Sequence, residues 1–409
     1  MKYVIIGNSA AAVGAVEAIR TRDQDGLITV VAKEPHHVYS RPLISYLLRE
    51  ETDGERMKYR PDDFYIKNGV HALLGESACA IDPDKKEVAL KSGGKLLYDK
   101  LLVAAGSQPF VPPVQGAAKV KRKFTFLSLD DARALQQALF PEARVLILGA
   151  GLIGLKCAEG IADKAASVTV VDLADRVLPS ILDERGSEIM RRHIEAQNVD
   201  FRLSDSIASL TGGTALLKSG EVIPFDILVF AVGVHPNTDL VRAAGGAVNR
   251  GVVTDTRCCT TLPDVYAAGD CAESHDITTG TDRVLALWPN AYMQGECAGL
   301  NMAGGDRIFD RAMPMNAIGF FGLHIITAGS CEGESCVFEQ DGSYKRLVIR
   351  DGKLVGYILI GAVERAGIYT ALIRDRTPLN SIDFELIKEK PQLMAFSKMD
   401  RLRKLGGLD

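Results

Sequence analysis

Two stretches of the chain repeat one pattern, and that repeat limits the fold more than any other feature. Residues 3–34 run YVIIG, NSAAAVGAVEAIR and later LITVVAKE: an apolar strand, a turn of small residues opening a helix, and a second apolar strand ending in Glu34. Residues 145–172 run VLILG, AGLIGLKCAEGIA and SVTVVD, ending in Asp172. Further along, YDKLLVAAGSQP (Tyr98–Pro109) and FDILVFAVGVHP (Phe225–Pro236) match again, each with an aspartate before an apolar strand that closes on Ala-x-Gly. Continuous apolar strands separated by helical segments call for parallel pairing with crossover helices. The expected fold class is α/β, with two Rossmann-like dinucleotide-binding domains.

The second turn carries the full fingerprint. Gly149, Gly151 and Gly154 give G-x-G-x-x-G between a strand and a helix. The first glycine allows the tight turn, the second lets backbone approach a pyrophosphate, and the third permits close helix–strand packing. The helix N-terminus offers free N–H groups to the phosphates. Asp172 closes the following strand, where a carboxylate accepts from a ribose 2′-OH and repels a 2′-phosphate, favouring NADH over NADPH. Arg176 nearby weakens that preference. Ile153 and Gly233 complete the candidate NAD contacts. In the first turn Gly7 is kept, but Ser9 and Ala12 stand at the second and third positions. A serine hydroxyl can donate to phosphate, and Glu34 would meet an adenosine ribose; a turn that has lost its ligand is the alternative. The segment VYAAGDCAE (Val265–Glu273) favours the first reading. It ends a strand in Gly269-Asp270, suited to close approach and to hydrogen bonding a polyol.

Composition narrows the class of function. The chain has 409 residues, 47% apolar and 24% charged, which suits a globular enzyme of two or three domains. A net charge of -4 gives no reason to expect nucleic acid. The uncharged run Met313–Cys331 is broken by Pro314, Asn316, three glycines and His324, so strands are expected there and not a membrane span. Eight cysteines include no C-x-x-C pair and no zinc spacing. Scattered thiols, with a strand beginning almost at Met1, imply a reducing, cytoplasmic setting. Cys331 and Cys336 have the spacing of a redox disulfide but fall far from the nucleotide turns, and Cys258-Cys259 reads as packing.

Taken together, GNSAAAVG, LLVAAGSQP, GAGLIGLKCAEG, FAVGVHPNTDL and NRGVVTDTRCCTTLPDVYAAGDCAE resemble the pyridine nucleotide-disulfide oxidoreductase superfamily over nearly the whole chain. YSRPLIS is similar to the corner in NADH:rubredoxin and ferredoxin reductases and in the flavin part of assimilatory nitrite reductases. The resemblance implies that the first block binds FAD through Gly7, Ser9, Ala12, Glu34, Arg41 and Pro42. Gly106 would line the flavin pocket, the Ala78 backbone would meet the adenine, and Gly269-Asp270 would hold the ribitol. Trp288, in LWPNAYMQG, would open a helix whose N-terminus faces the flavin's pyrimidine edge, where its dipole stabilises negative charge. The implied layout is a split FAD domain, 1–115 and 245–312, an inserted NAD domain, 116–244, and a smaller α+β C-terminal domain, 313–409, with a basic tail. The tail, Ile387–Asp409, carries Lys388, Lys390, Lys398, Arg401, Arg403 and Lys404.

In the disulfide- and peroxide-reducing relatives a redox cysteine lies near that corner; Val38–Leu48 has none. The implied activity is therefore hydride transfer from NADH to flavin N5, with electrons leaving for a small carrier protein, a rubredoxin or ferredoxin, without a redox disulfide. Two departures stand out. Related ferredoxin reductases carry a lysine just after the corner, where this chain has Ser45 and Tyr46, and a glutamate where it has Lys156. Lys156 is accordingly a candidate for tuning hydride transfer, either facing the nicotinamide or pairing with Glu159. The basic run Lys119, Lys121, Arg122 and Lys123 could steer an acidic carrier. An oxygen-using NADH oxidase, a flavoprotein whose partner binding follows its redox state, and an electron-input subunit of a larger complex remain alternatives, with monomer and homodimer both open.

Overall fold

The computed structural model describes residues 1–340 and 342–404, with backbone alone for Arg403 and Lys404. Five parallel strands form the first sheet, in the spatial order Val265–Ala267, Lys100–Val103, Lys2–Ile6, Leu27–Ala32 and Val70–Leu74. Both faces are covered, which is why these strands read as unbroken apolar runs. Tyr3, Ile5, Ile28, Val30 and Leu102 pack on one side with helix α1 (Ala10–Arg22). Val4, Ile6, Val31, Leu101 and Val103 pack on the other, with Ile81 and Val88 of a three-stranded antiparallel sheet. After the second strand the chain turns at Arg41–Leu43 into the short helix α2 (Ile44–Leu48).

The second sheet repeats the plan, in the order Val199–Arg202, Ser167–Val171, Arg144–Leu148, Ile227–Phe230 and Lys123–Thr125, again all parallel. Helix α3 (Leu152–Ile161) follows its central strand. Helix α4 (Trp288–Met302) returns to the first sheet and lies along α1 at unusually short range, because glycines face backbone. A Cβ on Gly295 would sit 2.0 Å from Ala11 O, and one on Gly299 would sit 2.5 Å from Ala15 O.

Both parallel sheets belong to one compact unit, Met1–Asp175, Asn198–Asp276 and Thr281–Ala312. A second unit comprises Arg176–Gln197, Ile277–Gly280 and the chain from Met313. It is built on a five-stranded antiparallel sheet, ordered Met315–Phe320, Leu323–Gly329, Lys353–Ile360, Ser343–Arg350 and Glu334–Gln340. Helix Ala366–Arg374 supplies Tyr369, Leu372 and Ile373 to its core. The fold is thus α/β with two Rossmann-like halves and a C-terminal antiparallel-sheet domain. The uncharged run from Met313 supplies the first two of those antiparallel strands. No helix among the described residues is long and apolar enough to cross a membrane. The first part of the basic tail is packed: Ile387, Ala395 and Phe396 are buried in the second unit's core. Its residues 405–409 and the Arg403 and Lys404 side chains lie outside the described residues.

Candidate functional site

The first turn runs from Gly7, at φ +121°, where a Cβ would meet Ala104 O at 2.0 Å. Ser9 is the N-cap of α1 and makes no side-chain cap hydrogen bond, so its hydroxyl is not spent on the helix. Ala10, Ala11 and Ala12 are buried, where larger side chains would push the turn off the sheet. Asn8 braces the turn from outside: its Nδ2 donates to His36 O at 3.2 Å, and its Oδ1 accepts from Tyr65 at 2.9 Å.

Glu34, at the end of the second strand, does not stand alone. Its Oε2 accepts from the Tyr39 hydroxyl at 2.6 Å, and its Oε1 pairs with the Arg41 guanidinium. Tyr39 also accepts from Leu129 N at 2.9 Å, and Arg41 donates to Leu127 O at 3.3 Å. Burial works against the Arg41 charge, yet Tyr39, Glu34 and Asp270 outweigh it and hold the guanidinium firmly protonated. Pro42 occupies the first turn of the short helix behind Arg41, where no backbone N–H is needed. Ala78 begins the strand Ala78–Asp82; just before it, Gly75 N and Glu76 N donate to Glu34 O and Ala32 O.

Asp270 lies where the strand Val265–Ala267 has ended. Burial raises its carboxyl above the ordinary range, against the pull of the Arg41 charge and a hydrogen bond with Ser107. Gly269 N beside it donates to Gln294 Oε1 of α4 at 2.8 Å. Gly106, at φ +65°, borders open space. A desolvated carboxylate with acceptor capacity left, an open glycine edge and a small-residue helix start are features a flavin dinucleotide fits. Trp288 is the first residue of α4 and stands edge-on to Tyr59, with ring centroids 5.0 Å apart.

In the second turn the three glycines differ in surroundings. A Cβ on Gly149 would lie 2.3 Å from Ala231 O and one on Gly154 1.9 Å from Gly149 O, whereas Gly151 has nothing within 4 Å. The open approach is thus at the N-cap of α3, where amide groups face outward. Asp172 spans the turn: Oδ2 accepts from Ala150 N at 2.6 Å and Oδ1 from Ala174 N at 2.8 Å. Ile153 is half-buried on the first turn of α3, and Gly233, at φ +105°, borders open space. Two antiparallel strands join the halves, pairing Val234 with Pro109 and Pro236 with Ser107.

Lys156 pairs with Glu159 and lies 4.7 Å from the centroid of the Tyr46 ring. Glu159, 4% exposed, also meets Arg49 Nη1 at 3.3 Å. Helix α3 therefore faces α2 through two charged residues, and the phenol of Tyr46 is held above its ordinary range by burial and by Glu159. Sequence reasoning named Lys156 and Glu159 but missed Tyr39, Arg49 and Gln294, whose roles depend on contacts distant in sequence. All eight cysteines are free thiols. Among the described residues no three of His, Cys, Asp and Glu are grouped to hold a metal ion.

Comparison with known proteins agrees with this architecture. The family profile described as "Pyridine nucleotide-disulphide oxidoreductase" matches residues 1–295, and that described as "Rubredoxin NAD+ reductase C-terminal domain" matches residues 314–377. The chain is 32% identical to the NADH-dependent phenylglyoxylate dehydrogenase subunit epsilon of Aromatoleum evansii, over 93% of each chain. It is 29% identical to the assimilatory nitrate reductase electron transfer subunit of Bacillus subtilis (strain 168), covering 92% of this chain and 49% of that one, about half its length. Among solved structures, the putidaredoxin reductase–putidaredoxin covalent complex superposes with a TM-score of 0.88 at 23% identity, covering 100% of this chain and 99% of that one. The chain belongs to the pyridine nucleotide-disulphide oxidoreductase family, as an oxidoreductase whose cofactors are FAD and NADH.

Proposed function

We propose that this protein takes a hydride from NADH and passes electrons singly to a small carrier protein of the rubredoxin or ferredoxin type, with no dithiol relay at the flavin. One observation carries the reading. The corner Val38–Leu48 holds no cysteine, and the group it turns toward Asp270 is the Arg41 guanidinium. Bound FAD supplies the two-electron to one-electron conversion, which the protein has only to orient and tune. In this reading residues 1–115 and 245–312 hold FAD through Gly7, Ser9, Ala12, Glu34, Arg41, Pro42, Ala78, Gly106, Gly269, Asp270 and Trp288. Residues 116–244 hold NADH through Gly149, Gly151, Ile153, Gly154, Asp172 and Gly233, and 313–409 form the third domain. Ser9 and the α1 amides face the flavin pyrophosphate, while Asp270 accepts from ribityl hydroxyls. The rubredoxin-reductase profile over the C-terminal domain supports a small carrier as acceptor.

Lys156 is the chain's own departure at this site. Its ammonium is compensated by Glu159 and caps the Tyr46 ring, so it positions α2 against α3 at the junction of the two halves. A Lys156→Ala variant is expected to slow anaerobic reduction by NADH about tenfold with flavin content unchanged. An unchanged rate would remove Lys156 from the reaction.

The test of the main reading is an anaerobic NADH titration followed by absorbance. Bleaching of the flavin band at about one equivalent, with no thiolate-to-flavin band, is the expected result. Uptake of a second electron pair would place a dithiol in the path. A second reading has its own support: one relative, similar over 93% of each chain, is a subunit of a dehydrogenase. An electron-input subunit would be bleached by NADH yet reduce no soluble carrier until its partner is added.

A further inference from the structure

The profile over the C-terminal domain ends at residue 377, and the chain beyond it is tied to the second unit at several points. The Tyr369 hydroxyl donates to Ile387 O at 2.8 Å. Lys345 Nζ donates to the carbonyls of Lys388 and Glu389, at 2.5 and 2.8 Å, and Arg365 Nη1 reaches Pro391 O at 3.2 Å. Ala395 and Phe396 are buried. On either side of these anchors the chain leaves large apolar side chains outside. Met394 is 74% exposed and Met399 60%, with Leu393 and Leu402 exposed as well. Four such side chains fall within ten residues, where a soluble surface ordinarily scatters them singly. Met399 and Leu402, three residues apart, share a face of the helix Lys398–Lys404.

The same segment is basic in an acidic chain. Residues 390–404 carry Lys390, Lys398, Arg401, Arg403 and Lys404 against Asp400 alone, while the whole chain has a net charge of -4. Asp400 is engaged at its own helix start: Ser397 Oγ donates to its Oδ2 at 2.7 Å and accepts from its amide at 3.1 Å. Lys390, Lys398 and Arg401 form no ion pair among the described residues. The basic run Lys119–Lys123 differs. There Lys123 Nζ donates to Ala117 O at 3.1 Å, and the Arg122 guanidinium lies 5.3 Å from the centroid of the Phe140 ring. An apolar surface accompanied by charge of one sign selects a partner of the opposite sign.

We propose that Leu393, Met394, Met399 and Leu402, with Lys390, Lys398 and Arg401 beside them in the chain, dock the small carrier that takes the flavin's electrons. Iron held by four thiolates is a net negative centre, and a small protein built around it meets a basic surface favourably. The cations gather and orient the carrier. The methionines, unbranched and polarizable, fit an apolar strip without demanding one fixed shape. Release must follow each electron, so a short surface of modest area suits the exchange better than a wide one. Docking of this kind rests on the carrier reading of the acceptor.

The test is steady-state reduction of oxidised rubredoxin, and separately of a two-iron ferredoxin, by the purified holoprotein and NADH. Two double variants are compared with wild type: Met394→Ser with Met399→Ser, and Lys398→Glu with Arg401→Glu. Each is expected to raise the KM for the carrier about tenfold. Ferricyanide reduction, which needs no docking, and anaerobic flavin reduction by NADH should keep wild-type rates and show that the fold is intact. Added salt should raise the wild-type KM and leave that of the charge variant nearly flat. Lys121→Glu, a charge reversal in the other basic run, should change the KM little. Carrier kinetics unchanged in both double variants overturn the surface, and so does a Lys121→Glu effect as large as theirs. A wild type active with ferricyanide but with neither carrier overturns the carrier reading itself, and the surface with it. Dimers in sedimentation that dissociate in the methionine variant, with the carrier KM unmoved, would give the surface to a second copy instead.

Discussion

The two nucleotide turns begin from the same plan and hold it in different ways. In the second, the carboxylate closing the adjacent strand is spent on its own turn: Asp172 accepts from Ala150 N and Ala174 N, and the glycines do the rest. In the first, the matching Glu34 reaches away from the turn, to Tyr39 and Arg41. The place taken by Ala150 in the second turn belongs to Asn8, which ties the first turn to His36 and Tyr65. A turn with three glycines is closed by its own backbone and one carboxylate. One with Gly7, Ser9 and Ala12 is braced by Asn8, whose side chain meets His36 O and the Tyr65 hydroxyl. Tyr65 also accepts from Val38 N at 3.2 Å, which links the first turn to the start of the corner, and a change at Arg41 is felt at Glu34.

The sharpest way to break the comparison lies inside the second turn. Gly154→Val would drive a side chain into Gly149 O, backbone that cannot yield, and is expected to cost about 3 kcal/mol of stability together with NADH binding. Gly151→Ala meets open space, so it should keep the melting temperature and lose only NADH affinity. Equal losses of stability in the two variants would show that the open face at Gly151 is filled by protein in solution. Next in size is the carboxylate exchange. Asp172→Ala should raise the KM for NADH about tenfold and leave FAD content intact. Glu34→Ala should release FAD and also destabilise the apoprotein, since it strips Arg41 and Tyr39 of a shared acceptor. Flavin loss of the same size in both variants would mean the halves do not divide the cofactors as proposed.

Much of this was legible because the determinants are local. Glycine positions fix a turn within a few residues, and unbroken apolar runs announce strands covered on both faces. The contacts that sequence reading missed are set by packing between distant helices. Arg49 meets Glu159, and Gln294 meets Gly269, only because α2 lies on α3 and α4 on α1. One signal for the second was available: Gly295 and Gly299 stand one helical turn apart, the spacing that lets two helices approach backbone to backbone. The left-handed turn at Cys258 sets its thiol against α4, a contact that the adjacency of Cys258 and Cys259 does not announce. In the basic tail, charge hid the apolar Ile387 and Phe396 that pack it into the second unit.

The smallest expected effect concerns a second repeated acid. The aspartates preceding the matched strands, Asp99 and Asp226, do the same work: each accepts from the backbone N–H that opens the central strand of its sheet, Lys2 N at 2.7 Å and Arg144 N at 3.0 Å. Each also returns its own amide to that residue's carbonyl. They differ in charge pairing, since only Asp226 also takes the Arg144 guanidinium, at 2.9 and 3.1 Å. That guanidinium first, and the Arg144 amide second, lower the Asp226 carboxyl below its ordinary range. A carboxylate whose folded pKa lies below the unfolded value of about 4 stabilises the fold above that pH, and the stabilisation is lost as pH falls through the folded pKa. Asp226→Asn keeps an acceptor for the Arg144 amide and removes the charge. Its urea midpoint should sit slightly below wild type near neutrality and converge on it as the pH drops below about 4. Curves that stay parallel down to acid would mean that the backbone acceptor, common to both halves, is all that the repeated aspartate contributes.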